Sequence, residues 1–225
     1  MKKLLNILCL VILGTGLTTS CSKNDNFNEE AIKQAGIKAD KQLDSIFTDE
    51  RLRIEQYVSN NFQTPVEDTV TVAYQYIDKK IKRGLWYEIV SEPTDDSYEY
   101  KGQQVNSGYG YYYFAPVLPT VKIKYTAKLI SDGTIVQSDV NGSTYNLSTT
   151  GSTIFNQAWK FAFVPYKIQY NGEPQEFGGL TANGLKKGSI IRVVTPSYWA
   201  FGSNKNGNIP ANSPLVYEFE VLEIN

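Results

Sequence analysis

The sequence predicts an α+β fold: an antiparallel sheet with one short helix on one face, preceded by an N-terminal helical segment. Three observations carry this reading. VKIKYTAKL (121–129) alternates strictly, with Val121, Ile123, Tyr125, Ala127 and Leu129 on one face and Lys122, Lys124, Thr126 and Lys128 on the other. That is the pattern of a half-buried antiparallel strand. SIIRVVT (189–195) and LVYEFEVLEI (215–224) read as two more strands, the second turning Leu215, Tyr217, Phe219 and Val221 inward against Glu218 and Glu220. Between the strands, IFNQAWKFAF (154–163) suits a short helix, and an antiparallel sheet with one such helix is an α+β layout.

Composition bounds the function. The chain has 225 residues, 41% hydrophobic and 13% aromatic, enough for one good-sized domain and an appendage. A formal net charge of −1 leaves no electrostatic footprint for nucleic acid or an anionic membrane. There is no histidine, which excludes Ser-His-Asp and Cys-His nucleophilic mechanisms, histidine metal sites and histidine acid–base catalysis.

At the N-terminus, Lys2 and Lys3 precede an apolar run, LLNILCLVIL (4–13), too short for a comfortable membrane span. LTTSC follows, ending at Cys21. Small residues before a cysteine at this distance resemble the lipobox of bacterial lipoproteins, which implies a signal peptide over 1–20 and lipid on Cys21. The alternative is an ordinary signal peptide with an incidental cysteine. Cys9, the other cysteine, lies in the removed segment, so the mature chain keeps no thiol for a disulfide. Acyl chains on Cys21 give stable attachment, since each buried CH₂ contributes about 0.8 kcal/mol. The expected location is the bacterial cell envelope, with the outer membrane favoured and the face it occupies left open.

Residues 21–28 read as a polar tether and 29–64 as the N-terminal helical segment. From Glu29 to Asn61, Leu43, Ile46, Phe47, Ile54, Tyr57 and Val58 recur at helical spacing. Thr48, followed by Asp49 and Glu50, also suits the start of a second helix, so one kinked helix and two helices both stand. The C-terminal domain is assigned to 65–225. GLWYEIV (84–90) reads as a strand, 91–107 as a long polar loop, YGYYYFAPV (109–117) as an aromatic, extended stretch, and SDG (131–133) as a turn. The run VTPSYWAFG (194–202) gathers three aromatics between Pro196 and Gly202, where a turn or loop is expected. Large aromatics on a loop need something to cover, or to be covered by.

These segments resemble the FKBP-type peptidyl-prolyl isomerase family. YTAKLISDGTIVQS (125–138) is similar to its YTG-x-L-x-DG-x-x-FDS segment, and AWKFAF after Ile154-Phe155 to its V-I-x-GW helix start. GLKKGSIIRVVTPSYWAFGS (184–203) is similar to M-x-x-G-x-x-x-x-x-IPS-x-x-AYG, and NIPANSPLVYEFEVLEI (208–224) to IPP-x-x-x-LVF-x-VEL-L. GLWYEIV fits the first strand of bacterial relatives. The resemblance spans 84–225, with core segments 84–90 and 121–225 and insertions at 91–120 and 163–180.

It implies a curved antiparallel sheet wrapped around one short helix, with an aromatic pocket between them. Carried over by position, Tyr125 is a pocket wall, Val136 a hydrophobic wall where the family has phenylalanine, and Gln137 stands in place of its aspartate. Ile154 and Phe155 are expected at the rim and Trp159 at the floor. Phe201 is expected in the loop above, where the family has tyrosine, with Trp199 beside it as part of a lid. Ile209 and Tyr217 close the pocket from the C-terminal side. For Trp159 and Tyr217, plain core packing is nearly as good a reading.

The implied chemistry breaks no bond. Rotation about an X–Pro bond faces a barrier of about 18–20 kcal/mol. A dry pocket lowers it by taking the imide from water, so no cofactor, metal or proton shuttle is expected. The expected partners are proline-containing segments of exported proteins, and the membrane through Cys21. The departures, Phe201 without a hydroxyl, Gln137 without a charge, and Ala127 and Ala158 in place of glycines, keep a second reading open. That reading is a weak or inactive FKBP-like lipoprotein that binds peptides or an envelope partner, for instance through GYGYYYFAP (108–116). A carbohydrate-binding envelope protein rests on exposed aromatics alone.

Overall fold

The computed structural model describes residues 29–149 and 154–225. The leader, Cys21 and the tether lie outside the described residues. The chain opens with helix α1 (Glu29–Asn61), continues through strands β1 (Val66–Glu67), β2 (Thr71–Ala73), β3 (Lys80–Lys82) and β4 (Trp86–Ser91), and then β5 (Gly102–Asn106) and β6 (Tyr112–Pro116). Strands β7 (Thr120–Leu129) and β8 (Ile135–Asn146) precede helix α2 (Gln157–Phe163). Strands β9 (Lys167–Tyr170), β10 (Glu173–Glu176), β11 (Ile190–Thr195) and β12 (Leu215–Ile224) complete the chain. No helix among the described residues is long and apolar enough to cross a membrane.

Six strands form the main sheet in the order β1, β4, β11, β12, β7, β8, every neighbouring pair antiparallel. The alternation read in β7 is the burial seen: Val121, Ile123, Tyr125 and Ala127 are buried and the lysines between them are not. Helix α2 lies on that inner face, with Trp159, Ala162 and Phe163 packed against Tyr125, Phe219 and Ile191 in one core. Asn156 starts α2 by accepting the Ala158 N–H at 3.1 Å, a cap that satisfies one of the helix's free donors. The sheet is bulged where β7 meets β8, where β12 meets β7 and where β11 meets β4, and bulges bend a sheet toward what it covers.

Helix α1 is one continuous helix, not two. Thr48 does not cap a new start: its hydroxyl donates back to the Asp44 carbonyl at 2.8 Å within the same helix. The C-terminal half of α1 packs Ile54 and Val58 against Val194 and Val216 on the outer face of the sheet, so α1 and α2 cover opposite faces. Phe47 reaches round into the inner core. Asp68 and Arg83 form a buried ion pair at 2.6 Å, and the guanidinium sits 4.0 Å over the ring of Phe161 in α2.

The stretch 91–107 is not wholly a loop. Gly102–Asn106 pairs with Tyr112–Pro116 as a two-stranded hairpin separate from the main sheet. GQQVN shows no apolar alternation because the hairpin packs sparsely, through Phe114 against Tyr170 and Phe177. Tyr109, Tyr111, Tyr112 and Tyr113 remain exposed. The insertion 163–180 likewise contains a hairpin, β9–β10, turned by Asn171 and Gly172, both at positive φ as its tight turn requires.

Candidate functional site

The site is built around Trp159. Its ring meets Tyr125 edge-on at 4.9 Å, Phe155 at 5.1 Å and Phe219 at 4.7 Å, with Tyr217 at 6.2 Å and Phe163 stacked at 6.1 Å. Edge-to-face pairs of this kind each add about 0.5–1.5 kcal/mol beyond their burial. Trp159 is 1% exposed, so it is a core residue. Its indole N–H makes no well-formed hydrogen bond, although the Tyr217 hydroxyl lies close enough to feel it.

The expected residues divide by depth. Tyr217 and Ile209 are fully buried and form the base with Trp159. The Tyr217 hydroxyl accepts from Asn156 Nδ2 at 2.7 Å, so one asparagine caps α2 and ties it to β12. Burial pushes the Tyr217 phenol well above the usual tyrosine range. Tyr125 is nearly buried, while Val136, Ile154, Phe155 and Phe201 are half-buried and packed on the same cluster. These four are the part of the cluster that stays open to solvent. Gln137 pairs opposite Ala127, whose side chain is in the core, so it too lies on the inner face.

Trp199 departs from the lid expected of it. It is buried, flanked by Phe47 at 6.2 Å and Phe161 at 5.4 Å, and its indole N–H donates to the Arg83 carbonyl at 2.9 Å. The aromatics of VTPSYWAFG therefore split. Tyr198 and Trp199 pack toward α1 and α2, and Phe201 stays half-exposed above the cluster.

Two site residues were missed from the sequence. Tyr145, on β8, stands 6.0 Å from both Tyr125 and Phe155 and 6.1 Å from Trp159, completing the outer wall. Asp139 lies opposite Tyr125 across the β7–β8 pair, one inward position beyond Gln137, so a carboxylate does face the site. Hydrogen bonds from the Ser143 and Tyr145 hydroxyls hold it down to about 2. The period-two spacing of Gln137, Asp139, Ser143 and Tyr145 was the available signal, but the stretch between is polar on both faces and interrupted by a bulge. Between the pairs Ile123–Ser143 and Tyr125–Asp139, β8 advances four residues against two in β7. Gly142 takes φ +85° there, and a Cβ would come within 2.7 Å of Leu222.

Among the described residues no group of three or more His, Cys, Asp or Glu is arranged to hold a metal ion. Burial raises Tyr125 and Tyr145 above ordinary tyrosine, so both stay protonated at neutral pH, Tyr145 donating its O–H to Asp139. The site offers apolar walls, two phenols, an amide and one carboxylate.

Residues 115–222 match the family described as FKBP-type peptidyl-prolyl cis-trans isomerase. An FKBP-type peptidyl-prolyl cis-trans isomerase FkpA from Buchnera aphidicola is 42% identical over 40 residues, which are 18% of this chain. The match spans only 16% of that relative's length. Among solved structures, a peptidyl-prolyl cis-trans isomerase from Pseudomonas syringae pv. tomato aligns with 81% of this chain and 95% of its own, at 15% identity and a TM-score of 0.46. FkpA from Escherichia coli aligns with 91% of this chain and 75% of its own, at 19% identity and a TM-score of 0.43.

Proposed function

Through residues 115–222 the chain belongs to the FKBP-type peptidyl-prolyl cis-trans isomerase family, and from that premise we propose that it isomerises X–Pro bonds in exported proteins at the cell envelope. One observation carries the reading: a sealed Trp159 beneath a half-exposed rim of Phe155, Tyr145, Val136 and Phe201. A prolyl ring set on that rim leaves water. The imide in its twisted transition state has lost its amide resonance and is less polar than in the ground state, so a dry aromatic surface favours it. The hydroxyl of Tyr125 and the amide of Gln137 supply hydrogen bonds to the peptide backbone without moving a proton, while the Tyr145 O–H is committed to Asp139. Uncatalysed exchange takes tens to hundreds of seconds, which leaves a wide margin for acceleration.

The substrate class is a proline-containing segment of an unfolded exported chain. Lipid on Cys21 keeps the enzyme at the membrane, favoured as the outer membrane. The test is cis/trans exchange of a short Ala-Leu-Pro-Phe peptide followed by magnetisation transfer, which needs no coupling protease. Exchange that speeds up in proportion to protein concentration supports isomerase activity.

A second reading is favoured by one residue. Phe201 carries no hydroxyl at the rim, so the site binds a peptide carbonyl less firmly than a tyrosine would, by about 0.5–1.5 kcal/mol. Peptide shifts that saturate on titration with no change in exchange rate identify a binding module. Neither shifts nor acceleration removes both readings.

A further inference from the structure

Helix α1 reaches the site through one side chain that isomerisation itself does not require. Glu50 sits in mid-helix, 1% exposed, on the side facing the turn after β11. Its Oε2 accepts the Ser197 backbone N–H at 2.8 Å and its Oε1 accepts the Ser197 hydroxyl at 2.6 Å. Burying a carboxylate costs free energy, and packing alone is better served by an apolar residue. Its position therefore asks for a purpose.

Ser197 is the hub of the turn. Its carbonyl accepts the N–H groups of Ala200 at 3.0 Å and Gly202 at 2.7 Å, closing a loop with Phe201 between them. Beyond it, the Gly202 carbonyl accepts from Asn212 at 2.8 Å. One turn before Glu50 on α1, Phe47 packs 5.5 Å from Tyr198 and so braces the same segment. All three polar groups of Ser197 are thus committed, two of them to α1.

We propose that Glu50 is a positioning residue for the loop 196–202: by fixing Ser197 from α1 it sets Phe201 over the rim, which makes α1 part of the frame of the site. The proposal rests on the reading of that rim as the peptide site. It also explains why a helix on the far face of the sheet sends Phe47 and Glu50 round its edge.

The experiment compares Glu50→Ala, Glu50→Gln and Ser197→Ala by amide hydrogen exchange and by peptide isomerisation. Glutamine keeps the shape and can accept the Ser197 N–H while donating to its hydroxyl. In Glu50→Ala, exchange at Ala200 and Gly202 rises about tenfold or more while Phe219 and Val221 in β12 stay protected, and kcat/KM falls about tenfold. Glu50→Gln restores both. If Glu50→Ala fails to fold, Ser197→Ala, which removes only the hydroxyl arm, is read the same way with smaller changes. Unchanged exchange at Gly202, or a rise shared equally by β12, overturns the proposal. A wild-type protein with no isomerase activity sinks the functional reading, and the exchange data still decide whether Glu50 holds the loop.

Discussion

The Tyr145 hydroxyl donates to Oδ2 of Asp139 at 2.7 Å, and this bond fastens the outer wall of the aromatic site to the sheet beneath it. The other oxygen, Oδ1, accepts the Gly142 N–H at 2.9 Å, so a single carboxylate closes the bulge and aims the ring that follows it. Asp139 is held at about 2, first by the Ser143 hydroxyl and then by Tyr145. A carboxyl whose pKa is depressed on folding stabilises the native state above its ordinary value of 3.8, and that contribution is lost as pH falls through about 2. Asp139→Asn should therefore flatten the acid limb of the stability curve between these values. Thermal melts of both proteins across that range check it, and parallel curves would show that Asp139 does not stabilise the bulge.

Glu50 titrates in the opposite sense. Burial, partly offset by the Ser197 hydrogen bonds and by Arg53, raises its carboxyl above the ordinary 4.5. The unfolded chain then ionises first, so stability falls as pH rises from 4.5 through the raised value. Glu50→Gln has no such proton to lose. Its midpoint in urea should show a shallower decline over that window than the wild type, and equal declines would assign the slope to other groups.

Trp159→Leu should cost about 3 kcal/mol of stability, because six aromatic rings close on the indole and none can fill its place. Urea unfolding followed by circular dichroism measures this. Trp159→Phe preserves more of the packing and should lose less stability while still weakening proline-peptide binding. A Leu variant as stable as the wild type would mean that the ring is not a core element.

Much of this was legible in residues and some was not. Strand β7 could be read because one face is buried along its whole length, and α2 because an aromatic stretch followed an asparagine that caps it. The helix from Glu29 to Asn61 was bounded correctly, but its continuity through Thr48 was not decided, because a threonine bonding back within a helix and one capping a helix look alike in sequence. Strand β5 was invisible: two glutamines and an asparagine in a thinly packed hairpin carry no period. Gln137 was carried to the aspartate's place by motif alignment, while the carboxylate that faces Tyr125 is Asp139. Both residues lie on the inner face, Gln137 opposite Ala127 and Asp139 opposite Tyr125, and the motif names only the first of the two. Glu50 was read as a charge at a helix start because nothing local marks a carboxylate whose partner lies 147 residues away.

Membrane attachment is tested at Cys21. The small residues of LTTSC end at that cysteine directly after the apolar run, so Cys21→Ala should leave the protein without acyl chains and release it from the membrane fraction. Fractionation together with intact mass decides it. A variant still in the membrane, or a wild-type protein cleaved elsewhere and carrying no lipid, contradicts the assignment.

Phe201 offers the sharpest test of the rim. It is half-buried on the cluster, at the apex of a loop that Ser197 closes through Ala200 and Gly202. A tyrosine there adds one oxygen at an already open edge, so Phe201→Tyr should change stability by less than about 1 kcal/mol. The new hydroxyl lies beside a surface that otherwise offers a peptide carbonyl only the phenol of Tyr125 and the amide of Gln137, since the Tyr145 O–H is committed to Asp139. One added hydrogen bond contributes about 0.5–1.5 kcal/mol, and 1.4 kcal/mol is about tenfold in affinity or rate. Proline-peptide binding or isomerisation should therefore improve by about threefold to tenfold, and an alanine-for-proline control peptide should show no gain. If the variant loses stability and binds no better, the Phe201 ring is turned under the loop, and the aromatics of VTPSYWAFG serve packing alone.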